Sequence, residues 1–253
     1  MNRFALIIIA PDIKGQVKLS GAEKDAGLWY NYLRSNCGGS WQRSEIVIRK
    51  SPFSNQIDTL LEEHKDDYCF VAFSGHGCEI KQSIRDEKGV PTVCLNNDEQ
   101  TVPLFHLKPK GQYGTLISDS CRGYEIMGKK ASGFSNRSDK QAFCIESINY
   151  LSCFHQAKWF QALNHCCNTS GGVLTMYSCA TGQSAEENPD AGGLYTSLLI
   201  NSANKWYSSA KRNTFYTTWE AHVDAISLMR FYSPQQTPEY LKNPTRFPFA
   251  IKV

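Results

Sequence analysis

The chain is poor in the features that usually name a function at sight. No Lys/Arg run is longer than a pair and the formal net charge over 253 residues is only +3, so charge points to neither a nucleic acid nor a membrane surface as partner. There is no Gly-x-Gly-x-x-Gly and no Walker-type loop, which removes the common nucleotide-binding readings. None of the ten cysteines falls in a Cys-x-x-Cys pair, and Cys69, Cys94, Cys144 and Cys179 sit inside apolar runs. A reduced cysteine there behaves as a small hydrophobe, so a reducing, cytoplasmic compartment is expected. Cys153, His155, His165, Cys166 and Cys167 match no zinc spacing, and the two histidines would fall on different helix faces, so no metal is expected. No apolar run approaches the length of a membrane span. The nearest, residues 4–10 after Arg3, is at the short edge of a signal-peptide core, lacks a small-x-small cleavage site and is stopped by Pro11 and Asp12. It reads as a first buried strand.

What is present is an ordinary globular composition, 41% apolar and 20% charged, sufficient for a full core in one large domain or two small ones. After the strand at 4–10, Leu28, Tyr32 and Leu33 mark one face of a helix that ends at Asn36-Cys37-Gly38-Gly39. Residues 45–49 read as a second strand, and Ser54 opens a helix to about His64 with Ile57, Leu60 and Leu61 inward. Residues 68–73 form a third strand. Strand, helix, strand, helix, strand in this order predicts right-handed crossovers and a mostly parallel sheet, with ligands at the carboxyl ends of its strands. Residues 78–112, interrupted by Pro91, Pro103 and Pro109, read as loops with a short hairpin near 93–95 and 101–102. Residues 122–142, with Lys129, Lys130, Arg137 and Lys140 among Gly, Ser and Asn, read as an exposed connector. Helices are expected over about 143–166, 194–206 and 216–231, and strands over 173–178 and 247–253.

Two strand ends carry the chemistry. The apolar strand from Tyr113 opens into Asp119-Ser120-Cys121-Arg122-Gly123, and forty-five positions earlier the strand at 68–73 opens into Ser74-Gly75-His76-Gly77. A thiolate is a nucleophile and a nearby imidazole can take the thiol proton. Two neighbouring strand ends hold such a pair within reach. A glycine after the histidine lets its backbone N–H approach an oxyanion, so Gly77 joins Cys121 as a candidate donor. Asp119 lies two residues before Cys121 and so points to the same side of the strand. A carboxylate placed there needs a cationic partner, which a substrate side chain can be.

Five motifs in order then resemble a caspase-like cysteine peptidase over essentially the whole chain, closest to the metacaspases and their bacterial relatives. They are Leu19-x-Gly21-x-x-x-Asp25-Ala26, Ser74-Gly75-His76-Gly77, Asp119-Ser120-Cys121, the segment from Ser178 through Glu186 to Gly192-Gly193-Leu194-Tyr195, and Gln236-Thr237-Pro238 with Phe247-Pro248-Phe249. The resemblance implies an α/β caspase-like fold with a central, mostly parallel six-stranded sheet flanked by helices. Residues 1–253 would form one such domain, with a large-subunit-like part over about 1–125 and a small-subunit-like part over about 170–253. It also implies a Cys121–His76 dyad, and a first specificity pocket lined by Asp25, Asp119 and Ser74 with Ala22 on its wall.

Asp119 stands where animal caspases carry glutamine, so cleavage after aspartate is not implied. The expected activity is endopeptidase cleavage after a basic residue, arginine before lysine, in a monomeric protease of regulated processing, cell death or defence. Apart from Glu79, the acidic residues between the two motifs come as the separated pairs Asp86-Glu87 and Asp98-Glu99. A calcium site wants six to eight converging oxygens, so no cofactor is expected and calcium is not required. No prodomain is evident, which implies control by a partner, by processing or by a ligand. The alternative is a catalytically silent scaffold on the same fold.

Overall fold

The computed structural model describes residues 1–82, 89–98, 101–126, 152–169, 171–241 and 246–253. In chain order the first elements are β1 (Arg3–Ala10), α1 (Ser20–Arg34), β2 (Ile46–Lys50), α2 (Ser54–Glu63), β3 (Tyr68–Gly75), β4 (Gly77–Lys81), β5 (Val90–Val93), β6 (Val102–Pro103), β7 (Tyr113–Asp119) and β8 (Tyr124–Ile126). There follow α3 (Cys153–Thr169), β9 (Gly172–Tyr177), β10 (Glu187–Asn188), β11 (Gly192–Gly193), α4 (Leu194–Ser209), β12 (Thr214–Thr217), α5 (Thr218–Tyr232), β13 (Glu239–Tyr240) and β14 (Pro248–Lys252).

The central sheet has six strands in the order β13-β9-β7-β3-β1-β2. All its pairings are parallel except β13 on β9. A parallel sheet is covered on both faces, and β1 shows it, with all eight residues buried. Its odd residues Ala5, Ile7 and Ile9 join the core that contains α1, α3, α4 and α5, while Phe4, Leu6, Ile8 and Ala10 face the α2 side.

Three expectations are corrected. A second, four-stranded sheet, β6-β5-β4-β8, stands where loops with one hairpin were expected over 78–112 and an exposed connector from 122. The hairpin itself is real, since β5 pairs antiparallel with β6. The closing strand, β14, pairs with β12 outside the central sheet, and the sixth central strand is the two-residue β13. A strand that short shows no alternation by which to be seen in sequence. Most of the expected connector at 122–142, and the first part of the helix expected from 143, lie outside the described residues.

All nine described cysteines are free thiols. Among the described residues no group of three or more His, Cys, Asp or Glu is placed to hold a metal ion, and no helix is long and apolar enough to cross a membrane.

Candidate active site

Strands β3 and β7 pair in parallel with Ser74 opposite Asp119. His76 and Cys121 each lie two residues further on, so both step off the sheet at the same level. Gly77 brings the two loops into contact. A Cβ at Gly77 would lie 2.8 Å from Ser120 Oγ and 2.9 Å from the Cys121 carbonyl oxygen, closer than real Cβ contacts allow, so the approach requires glycine. His76, Cys121, Ser74, Asp119 and Glu187 share one cleft of about 50 Å³.

His76 is oriented by a group that sequence reading missed. Its Nε2 is 2.7 Å from the backbone carbonyl of Val17. A carbonyl only accepts, so Nε2 carries the proton and Nδ1 keeps the lone pair of a base. Burial lowers the His76 pKa, partly offset by that carbonyl. The Cys121 sulfur accepts the Ala185 N–H at 3.3 Å. Burial, together with the charges of Asp119 and Glu187, raises the thiol pKa, against the Ala185 and Ser184 hydrogen bonds. Both shifts favour a neutral thiol and a neutral imidazole.

The two predicted aspartates converge. Asp25 accepts the Ser74 hydroxyl at 2.5 Å and the Gly193 N–H at 2.8 Å. Asp119 Oδ2 accepts the Thr196 N–H at 3.0 Å and its hydroxyl at 2.8 Å. Thr196 is in the first turn of α4, whose exposed N–H groups favour a carboxylate. A Cβ on Gly193 would lie 2.3 Å from Asp119 Oδ2 and 3.0 Å from Asp25 Oδ2, so the carboxylates meet around one point. Both are buried, and neither forms an ion pair with Lys or Arg among the described residues. Burial first and the Asp119 charge second push the Asp25 carboxyl well above its ordinary value. Burial raises Asp119 as well, against the Thr196 hydrogen bonds.

Two placements differ from expectation. Ala22 is buried in α1 and is not part of the cleft wall, where Leu19 stands instead. Asp25 is fully buried behind Ser74 and Gly193, and only those two contacts reach the wall. Glu187, which sequence reading passed over, is on the wall. Its only signal was a pair of consecutive carboxylates in the loop after a strand end.

Arg122 ties the surroundings together. Its guanidinium donates to Glu79 through Nε at 2.8 Å and also through Nη2, to the Cys179 carbonyl at 3.2 Å, to Glu239 at 2.7 Å and to Thr181 at 2.6 Å. It also lies 4.1 Å over the Tyr177 ring. Glu79, on β4 three residues after His76, is thus locked to the residue that follows Cys121.

Comparison with known proteins identifies the family and the fold. The family model described as the caspase domain matches residues 2–248. The chain is similar in structure to caspase-1 from Spodoptera frugiperda, with a TM-score of 0.60 at 11% identity over 100% of this chain and 92% of that one. No curated protein matches.

Proposed function

The chain belongs to the caspase-domain family, and from that premise we propose that it is a cysteine endopeptidase that cuts polypeptides after a basic residue, arginine ahead of lysine. One observation carries the specificity. Asp119 lines the cleft beside the candidate nucleophile, and Asp25, buried behind Ser74 and Gly193, meets it around one point to form a carboxylate pair without a cationic partner among the described residues. Two such carboxylates are costly to desolvate alone, and a guanidinium can satisfy both through its fork of donors. An acidic side chain is repelled.

The proposed chemistry follows from the tautomer that Val17 imposes. Nδ1 of His76 takes the thiol proton of Cys121, and the thiolate attacks the scissile carbonyl carbon. The Gly77 and Cys121 N–H groups stabilise the oxyanion. The imidazolium then protonates the leaving amine as the C–N bond breaks, leaving a thioester. Water, losing its proton to His76, hydrolyses that thioester to the carboxylate and restores the thiol.

Fluorogenic peptides ending in Arg, Lys, Asp or Leu test the reading. Wild type is expected to cut Arg best, then Lys, with no turnover of Asp, and Cys121→Ala and His76→Ala are each expected to abolish cleavage with melting unchanged. A preference for Asp or Leu removes the pocket assignment, and near-normal turnover in either variant removes the dyad. A wild type inert toward every peptide favours the silent scaffold.

A further inference from the structure

We propose that Ser178, with Cys179 beside it, is a positioning residue for the oxyanion hole, turning the peptide between Ser120 and Cys121 so that the Cys121 N–H faces the scissile carbonyl oxygen. The inference rests on the Cys121–His76 chemistry proposed above and extends it to Ser178-Cys179, the opening of a sequence motif that the dyad itself does not use.

Ser178 and Cys179 follow directly on β9, which runs parallel to β7 with Tyr177 opposite Ser118. They therefore stand beside Asp119 and Ser120 where the two strands end, and both side chains are fully buried there. The Ser178 hydroxyl accepts the Ser120 N–H and donates to the Ser120 carbonyl, each at 3.2 Å. The Cys179 thiol lies 3.4 Å from that same carbonyl and equally far from the Gln183 carbonyl. Ser178 is held in turn, since its N–H donates to the Ser118 carbonyl at 2.9 Å and its own carbonyl accepts Gln236 Nε2 at 2.9 Å.

The carbonyl and N–H of one trans peptide lie in a plane and point opposite ways. Whatever fixes the Ser120 carbonyl therefore aims the Cys121 N–H. The neighbouring donors are already taken, Ser120 N–H by Ser178 and Arg122 N–H by the Gln183 carbonyl at 2.9 Å. Of these three consecutive N–H groups, only that of Cys121 has no acceptor among the described residues. A donor left free between two satisfied ones, on the nucleophile itself, is held for an oxygen of the substrate. Hydrogen bonds accepted at the carbonyl end also polarise the peptide and strengthen its N–H as a donor. The Ser178 hydroxyl steadies the Asp119 carboxylate as well, so an effect on the hole has to be told apart from an effect on the first pocket.

The test compares wild type, Ser178→Ala and Ser178→Thr on the peptide that wild type cuts best and on the aldehyde of the same sequence. The Cys121 sulfur bonds to the aldehyde carbon while the thiol proton passes through His76 to the aldehyde oxygen, which occupies the oxyanion hole. Alkylation by iodoacetamide instead displaces iodide at sulfur and forms no oxyanion. Removing an oxyanion donor outright costs about two to three decades in kcat, so misaiming one in Ser178→Ala is expected to lower kcat about tenfold, with KM unchanged, and to weaken the aldehyde by a similar factor. Cys121 alkylation, followed by mass spectrometry, is expected to keep its wild-type rate, and Ser178→Thr to restore kcat and aldehyde binding. Cys179→Ala, which removes the weaker donor, is expected to lower both about threefold, with Cys179→Ser restoring them. These two variants decide the matter if Ser178→Ala does not fold. Aldehyde binding unchanged in the folded variants, alkylation slowed as much as turnover, or a loss confined to KM for an arginine-ended peptide and absent for an uncharged one each overturn this proposal alone. A wild type that neither cuts peptides nor binds their aldehydes overturns it together with the dyad.

Discussion

Replacing Arg122 by methionine keeps most of the side-chain volume and removes the charge. The consequence is set by what is left behind. Glu79 is 2% exposed, so without Arg122 its carboxylate is a buried, uncompensated charge. Removing one partner of such a pair costs about 3–5 kcal/mol. Glu239 has a side chain 45% exposed and can turn to water, so Glu239→Gln costs under about 1 kcal/mol. A domain near this size loses about 2–4 °C of Tm per kcal/mol. Arg122→Met is therefore expected to lower Tm by roughly 6–20 °C, and Glu239→Gln by a few degrees at most. The double variant Arg122→Met with Glu79→Leu removes both charges and is expected to recover much of the loss. Because Arg122 follows Cys121 and Glu79 lies three residues past His76, turnover should fall with stability in Arg122→Met. Urea unfolding of the four members of the Arg122/Glu79 cycle measures the coupling. A coupling near zero, or equal costs for Arg122→Met and Glu239→Gln, would show that the buried pair is not what locks the two loops together.

Other predictions follow from the titrating groups and the connector. The folded state raises the Asp25 pKa, so its contribution to stability is present below the ordinary carboxylate range and is lost as pH rises through the raised value. Wild-type Tm should drop across that window and Asp25→Asn should flatten the drop, as scanning fluorimetry from pH 4 upward can check; a wild-type profile already flat would contradict it. The raised thiol pKa of Cys121 predicts that its alkylation by iodoacetamide is slow at neutral pH and accelerates with pH, and a rate already at plateau in mild acid would count against it. Finally, Lys129, Lys130, Arg137 and Lys140 in the 122–142 segment predict self-processing. Mass spectrometry of aged protein should find new termini after Lys129, Lys130, Arg137 or Lys140 in wild type and not in Cys121→Ala, and identical fragments in both would end the idea.

Much of the central architecture was readable because buried parallel strands announce themselves. β1 and β3 are apolar from Phe4 to Ala10 and from Tyr68 to Phe73, β7 is centred on Leu116 and Ile117, and a parallel register then places Ser74 beside Asp119 and their following residues at one edge. Glycines flanking the histidine and cysteine marked the same edge from sequence. The main helices were legible for a different local reason, that side-chain spacing reports which face is covered.

Other features depended on the folded chain. The Val17 carbonyl that fixes the His76 tautomer is a backbone atom, identical in every residue type, 59 positions away. Thr196 meets Asp119 across 77 positions and Gly193 meets Asp25 across 168, contacts that no local period encodes. Ala22 and Asp25 share a helix turn in sequence, yet burial behind Ser74 and Gly193 decided which surface reached the cleft. The amino-acid order by itself determined which residues could do chemistry and at which strand ends they would stand, because those depend on side-chain type and local periodicity. Only the tertiary structure decided which of them face one another, which carboxylate reaches the wall and which ring nitrogen is free, because orientation and burial are set by contacts between distant parts of the chain.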